Sequence, residues 1–272
     1  GLDPDKTRAG YMGGDLGKGW NERLQQSAIA LGILKRTNDT VSPVFKNVVL
    51  FFTKNEKGQV IDLYGRSINP NGTGKHFYLS GNHQGIYPGY PELTTRKLIL
   101  TECIIDCETL LQQEAIKSEF SMMALFGTNG FTPEHSEAIK NLADLNEVVL
   151  FFDGDESGRE AVTRIAEKVK ALKPDILITV VDTPDEEDIN SLIIGHDPEI
   201  LSHLIKSRKP VAPSDKTKND IPEKVSQNEI PYPAPRLNTR NPQKITYREG
   251  DLLLIIWGGI ERENVHRLRV NL

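Results

Sequence analysis

The chain has 272 residues, of which 38% are hydrophobic and 26% charged, and carries a formal net charge of −5. That length supports one large domain or two smaller ones, each with its own core. No apolar run approaches the roughly 18 residues of a membrane helix, and the start Gly1-Leu-Asp-Pro-Asp lacks the basic and apolar regions of a signal peptide, so a soluble cytoplasmic protein without a membrane partner is expected. The missing initiator Met suggests an excised piece of a longer chain.

In chain order, Gly10 to Gly19 is glycine-dense and reads as a loop, since its spacing matches no phosphate-binding fingerprint. Trp20 to Leu34 has helical spacing, with Trp20, Leu24, Ala28 and Leu31 on one face. Val48–Phe52 and Val60–Tyr64 flank a short Gly-containing connection and predict a hairpin. The stretch from Asn69 to Pro91 is loop-rich. Together with Arg66 it supplies Lys75, Tyr78, Tyr87 and Tyr90, a mixture that can grip a nucleic-acid backbone and stack bases or simply pack a small β-subdomain.

From 97 to 205 strand and helix signals alternate: strand Leu98–Leu100, helix Glu108–Ile116, strand Ser121–Phe126, helix Pro133–Leu142 capped by Thr132, strand Val148–Phe152, a helix opened by a Ser157/Glu160 capping box, and strand Ile176–Val181. This order implies a mostly parallel sheet with covering helices. Lys206 to Asn241 has linker composition, and Asp251–Trp257 reads as a strand opening a further, incomplete domain. Residues 206–272 hold 13 Lys+Arg and 8 Asp+Glu, against 20 and 30 in residues 1–205. The body is therefore acidic and the tail basic, as nucleic-acid-touching tails and solvated linkers both are.

Chemistry is signalled where hydrophobic runs end in acids: Leu98-Ile-Leu-Thr-Glu102-Cys-Ile-Ile-Asp106, Val148-Val-Leu-Phe-Phe-Asp153-Gly-Asp155-Glu-Ser-Gly158, and Asp185-Glu-Glu-Asp188-Ile-Asn190. A buried parallel strand delivers its following carboxylates to the crevice at the sheet's carboxyl edge. Carboxylates gathered there repel one another unless a cation holds them, and oxygen donors of this kind suit Mg²⁺ or Mn²⁺. Cys103 and Cys107 lack the partners of a zinc site and read as small buried thiols. The six histidines form no metal-spaced pair, so surface or structural roles are expected of them.

These acidic motifs resemble the Toprim fold shared by DnaG-type primases, type IA and type II topoisomerases and some nucleases, and the details are more similar to the primase branch. Glu102 to Asp106 stands where such primases carry Glu-Gly-x-x-Asp; Leu125-Phe-Gly127-Thr128 resembles their Leu-Gly-Thr loop; Asp153 to Gly158 resembles Asp-x-Asp-x-Ala-Gly; and Asp188-Ile-Asn190 stands for Asp-Pro-Asp. Upstream, Gly65-Arg66, Phe77-Tyr78-Leu79-Ser80 and Gly85-Ile-Tyr87 are similar to patterns of the basic subdomain that precedes Toprim in primases. The resemblance covers roughly residues 1–205. Cys103 for Gly, Asn190 for an acid, Ser80 for Asn and His83-Gln84 in place of a lysine are departures, and residues 1–272 contain no Cys/His zinc-ribbon motif.

The resemblance implies an α/β fold with a Toprim-like parallel sheet and covering helices, preceded by a small α+β basic subdomain and followed by a linker and a partial β-rich segment. The expected boundaries are 1–95 for the subdomain, 96–205 for the Toprim domain, 206–241 for the linker and 242–272 for the further domain. It implies DNA-templated RNA primer synthesis by metal-dependent nucleotidyl transfer, with single-stranded DNA, nucleoside triphosphates and a replicative helicase as partners. Glu102, Asp153 and Asp155 would be catalytic; Glu102, Asp106, Asp153, Asp155 and Asp188 would hold Mg²⁺ or Mn²⁺; Arg66, Lys75, Tyr78 and Tyr87 would contact nucleotide or template. A Toprim nuclease or topoisomerase, and a non-catalytic nucleic-acid-binding module, are the competing expectations, and the isolated piece could be inactive. A haloacid-dehalogenase phosphatase also uses Asp-x-Asp, but Ser157 stands where it needs Thr or Val.

Overall fold

In a computed structural model, residues 2–69, 74–197 and 199–211 are described in full and five strands between 236 and 270 by their backbone. The chain divides into two compact units, Gly1–Lys216 and Thr217–Leu272.

The first unit opens with β1 (Gly10–Met12), α1 (Glu22–Ala30), β2 (Leu34–Thr37), β3 (Thr40–Pro43), β4 (Val48–Lys54), β5 (Val60–Ser67) and β6 (His76–Tyr78). Strands β1-β4-β5-β6 form an antiparallel sheet and β2-β3 a separate hairpin. The β4–β5 hairpin is the expected one. Its turn is held by the Asn55 side chain, which accepts the Lys57 and Gln59 backbone N–H groups at 3.0 Å each, and by Gly58 at φ 73°. Strand β1 lies in the stretch expected to be loop.

Helix α1 is shorter than expected. Asn21 caps it by accepting the Leu24 N–H at 2.9 Å, and Gly32 at φ 74° turns the chain away after it. The expected apolar face does not enter the core: Leu24 and Leu31 are 51% and 64% exposed, and only Ala28 is buried. Helical period fixes which residues share a face, but not which face meets the sheet.

The larger sheet is built from β7 (Lys97–Thr101), β8 (Ser121–Ala124), β9 (Glu147–Phe151), β10 (Leu177–Val180) and β11 (Lys209–Pro210), in the order β11-β10-β9-β7-β8. All pairings are parallel except that of β11. The covering helices are α2 (Ile104–Leu111), α3 (Glu114–Lys117), α4 (Pro133–Asn141), α5 (Glu156–Leu172), α6 (Ile189–Gly195) and α7 (Ile200–Lys206). Successive residues of β7 and β9 bury to opposite faces, as the two-residue period requires. Leu98, Leu100, Val148 and Leu150 pack with Ile139, Ile165 and Val169 of α4 and α5. Ile99, Val149 and Phe151 pack with Leu110, Leu192 and Leu201 of α2, α6 and α7, and Phe51, Tyr64 and Tyr87 from the first half of the chain join this second core.

Three local expectations are corrected. The helix placed at Glu108–Ile116 begins at Ile104 and breaks at Gln112-Gln113 into α2 and α3. Helix α5 is capped by Asp155, which accepts the Gly158 N–H at 2.7 Å, and not by Ser157. Within the segment of linker composition, Lys209–Pro210 pairs with β10, and Arg208 grips Glu147 through two bonds of 2.6 and 2.8 Å. Residues 212–235 lie outside the described residues.

The second unit contains β12 (Arg236–Asn241), β13 (Lys244–Glu249) and β14 (Leu252–Trp257) in one antiparallel sheet, and β15 (Ile260–Asn264) with β16 (Arg267–Val270) as an antiparallel pair. The strand expected at Asp251–Trp257 is β14. Among the described residues, no helix is long and apolar enough to cross a membrane.

Candidate active site

Strands β7 and β9 are parallel neighbours whose last paired residues are Thr101 and Phe151. Two chains leaving such strands emerge side by side, about 4.8 Å apart, and the next acids along them are Glu102 and Asp153. Asp106 sits in the first turn of α2 and Asp188 caps α6, accepting the Ser191 N–H at 2.6 Å. Glu102, Asp106, Asp153 and Asp188 line one cavity of about 380 Å³, together with Asn190, Cys103 and, from β5 and β6, Tyr64, Arg66, His76 and Tyr78.

Glycines allow the loops to close here. A Cβ at Gly154 would collide with the Pro184 carbonyl, and one at Gly158 with the Asp153 carbonyl. The Gly154 N–H donates to Glu187 O at 2.8 Å while its carbonyl accepts from Glu186 N at 3.2 Å, tying the loop after β9 to the segment that carries Asp188. Gly65 serves the other wall, since a Cβ there would press within 2.8 Å of the Phe45 ring.

Crowding leaves Glu102, Asp106 and Asp153 hard to ionise. Burial, followed by the charges of Asp153, Asp155 and Asp106, pushes Glu102 up to about 8. Burial raises Asp106 to about 7, with Asp153 and Asp188 adding to it and the Cys103 hydrogen bond opposing it. Asp153 rises to about 6 through burial and the Asp188 and Asp155 charges. Glu102 Oε2 and Asn190 Oδ1 are buried with no hydrogen-bond partner. Such groups are costly unless something pairs with them, and a hard divalent cation fits an all-oxygen, excess-negative donor set. Among the described residues, no three carboxylates, histidines or cysteines already stand in ion-holding geometry, so binding an ion would have to draw these oxygens together.

The remaining candidates divide. Asp155 does not line the cavity; its carboxylate caps α5, although its charge acts on Glu102 and Asp153. Arg66 and Tyr78 line the cavity. Lys75 is exposed and outside the lining, and its carbonyl accepts the Ser67 N–H at 3.0 Å. Tyr87 is corrected: it is 2% exposed, its hydroxyl donates to Glu108 Oε2, and its ring meets Phe51 edge-on, so it packs the core and offers no face to a base.

Sequence reasoning missed Tyr64 and His76. They reach the cavity because β5 and β6 pair Tyr64 with Tyr78 and Arg66 with His76 on one face, and a three-residue strand carries no pattern by which to find it. Cys103, which stands for the glycine of the resemblance, donates its Sγ–H to Asp106 Oδ2 at 2.9 Å.

The model of the Toprim-like family matches residues 99–193, the stretch that carries the parallel sheet and the acids at its carboxyl edge. The similarity extends beyond that domain to bacterial DNA primases. The DNA primase of Haemophilus influenzae is 27% identical over 202 residues, covering 70% of this chain and 32% of the relative; the chain thus spans about a third of that relative's length. A DNA primase domain from Pseudomonas aeruginosa superposes with a TM-score of 0.58 at 21% identity, covering 76% of this chain and 67% of that one. A DnaG primase catalytic domain bound to single-stranded DNA gives 0.59 at 23% identity, covering 76% and 67%.

Proposed function

We propose that this chain is a primase-type enzyme, performing metal-dependent nucleotidyl transfer to build an RNA primer on a single-stranded DNA template. The observation that carries the reading is one cavity in which a buried, unpartnered Glu102 oxygen and three further carboxylates meet the Arg66 guanidinium of the upstream sheet. The similarity to the Haemophilus influenzae primase and to a primase catalytic domain solved with single-stranded DNA supports the same reading.

Glu102, Asp106, Asp153 and Asp188, with Asn190 as a neutral oxygen donor, would hold Mg²⁺ or Mn²⁺. Bound there, the cation would supply Lewis-acid stabilisation of phosphoryl oxygens. The acids supply the negative charge that recruits it, and Asp155 fixes the loop after β9 by capping α5. Arg66 would position nucleotide or template phosphate, and Tyr78 would offer a ring face to a base. Glu102, raised to about 8 by burial and its acidic neighbours, would hold a proton that a cation bound by these residues would displace. A replicative helicase as partner belongs to the same proposal.

The test is template-dependent incorporation of labelled ribonucleotides on single-stranded DNA with Mg²⁺ or Mn²⁺. Primer synthesis that disappears in Glu102→Gln supports the reading. Synthesis without a divalent cation, or undiminished in that variant, contradicts it.

A further inference from the structure

One donor on the wall of the acidic cavity is a sulfur. Cys103 stands just past the end of β7, at the N-cap position of α2, and its side chain does not cap that helix. Its Sγ lies 2.9 Å from Asp106 Oδ2, and it lines the cavity beside Glu102, Asp153 and Asp188. Cys103 is half-buried, whereas Cys107, one turn on, is sealed in the second core and outside the lining. The sequence offers Cys103 no cysteine or histidine at zinc-site spacing. The fold surrounds it with carboxylates instead.

Zinc binds thiolate sulfur at about 2.3 Å and carboxylate oxygen at about 2.0–2.2 Å. Tetrahedral bonds of those lengths hold sulfur and oxygen about 3.5–3.7 Å apart, so Sγ and Oδ2 need to part by less than about 1 Å, within the reach of side-chain rotation. Their separation is the same whichever of the two carries the proton. The Asp153 charge acts on both Cys103 and Asp106, which makes Asp153 the third donor. In the same cavity Glu102 Oε2 is buried with no hydrogen-bond partner, and a cation there would give it one. Burial, followed by the Asp106 charge, keeps the thiol protonated. A dication among the carboxylates reverses that: the sulfur–metal bond forms as the thiol proton leaves to solvent.

We propose that this cavity also takes a thiophilic cation, Zn²⁺, held by the Cys103 thiolate and the Asp106 and Asp153 carboxylates, in competition with Mg²⁺ or Mn²⁺. This rests on the proposed cation site and adds to it a selectivity. Magnesium takes oxygen donors and gains nothing from sulfur, whereas thiolate is a preferred ligand of zinc. Zinc bound this way excludes the cation that phosphoryl chemistry needs. The residue responsible is the one that stands where the primase pattern carries glycine.

The experiment titrates Cd²⁺, a zinc surrogate whose bond to thiolate absorbs in the ultraviolet, into the 272-residue chain, while electron paramagnetic resonance follows bound Mn²⁺ in the same samples. Wild type, Cys103→Ser and Cys103→Gly are compared, with thermal melts as the folding control and glycine as the second variant should serine disturb the fold. The expected result is a sulfur-to-cadmium band that saturates at equimolar Cd²⁺, release of Mn²⁺ over the same range, and loss of the band in both variants, which still bind Mn²⁺. Zn²⁺ should release Mn²⁺ from wild type at a lower concentration than from either variant. No band in a wild type that binds Mn²⁺, a band that survives in the variants, or equal release by Zn²⁺ overturns the Cys103 assignment and leaves the enzymatic reading standing. A band that forms while Mn²⁺ stays bound would put the soft ion outside the cavity and overturn the competition. A wild type that binds neither Mn²⁺ nor Cd²⁺ overturns both this inference and the proposed cation site.

Discussion

Asp106→Asn probes whether the cavity's acids are held against their own repulsion. Asp106 is 3% exposed and is held at about 7 in place of a usual 3.8. With one pKa unit equal to about 1.36 kcal/mol, ionising it inside the fold costs on the order of 4 kcal/mol. The folded value lies above the unfolded one, so the stability this carboxyl contributes is present below about pH 4 and is lost as pH rises through about 7. Asn keeps an oxygen to accept the Cys103 thiol but introduces an amide needing acceptors, which offsets about 1–2 kcal/mol. The expected result, from urea melts with a chelator present, is near parity at pH 5 and a variant more stable by about 2–3 kcal/mol at pH 8. Adding Mg²⁺ should stabilise the wild type and not the variant. A variant less stable than wild type at pH 8 in chelator would refute the reasoning and make Asp106 a structural hydrogen-bonding group.

Asp153→Asn should abolish ribonucleotide incorporation with a thermal midpoint no lower than wild type, since relieving repulsion from Asp188 and Asp155 compensates the lost group; wild-type synthesis rates would remove Asp153 from the site. Arg208→Ala strands Glu147, which is 5% exposed, and should cost about 3 kcal/mol in a denaturant melt. Glu147 is held below its usual range by Arg208 and Thr179 despite the opposing effect of burial, so the pair's stabilisation exists above the ordinary carboxylate range and fades as pH falls through the lowered value. A neutral outcome for Arg208→Ala would detach residues 206–211 from the sheet's stability. Arg66→Ala should weaken single-strand binding at low salt and reduce its salt slope by about one, while Lys75→Ala, at an exposed position outside the cavity lining, should change it little in the same titration.

Much of the larger sheet was legible because strands buried on both faces spell themselves out: Leu98–Leu100 and Val148–Phe152 admit little besides a central parallel strand. The acids that follow were legible for the same reason, since parallel neighbours deliver their ends to one edge. The upstream sheet was less so. Strand β6 has three residues, and only its pairing with β5 brings His76 and Tyr64 to the cavity. Tyr87 misled because composition cannot distinguish a tyrosine that stacks a base from one whose hydroxyl is tied to a buried Glu108. Asp155 misled in part because one residue type serves both to cap a helix and to bind a cation, and here the cap is the contact seen.

The measurement that bears most directly on the account is diffraction from crystals of this chain grown with Mn²⁺, recorded at the manganese absorption edge. The account predicts an anomalous peak in the cavity bounded by Glu102, Asp106, Asp153 and Asp188, with the Glu102 oxygen that now lacks a partner among its ligands. An empty cavity at millimolar Mn²⁺, or an ion bound elsewhere with these carboxyls still apart, would contradict it.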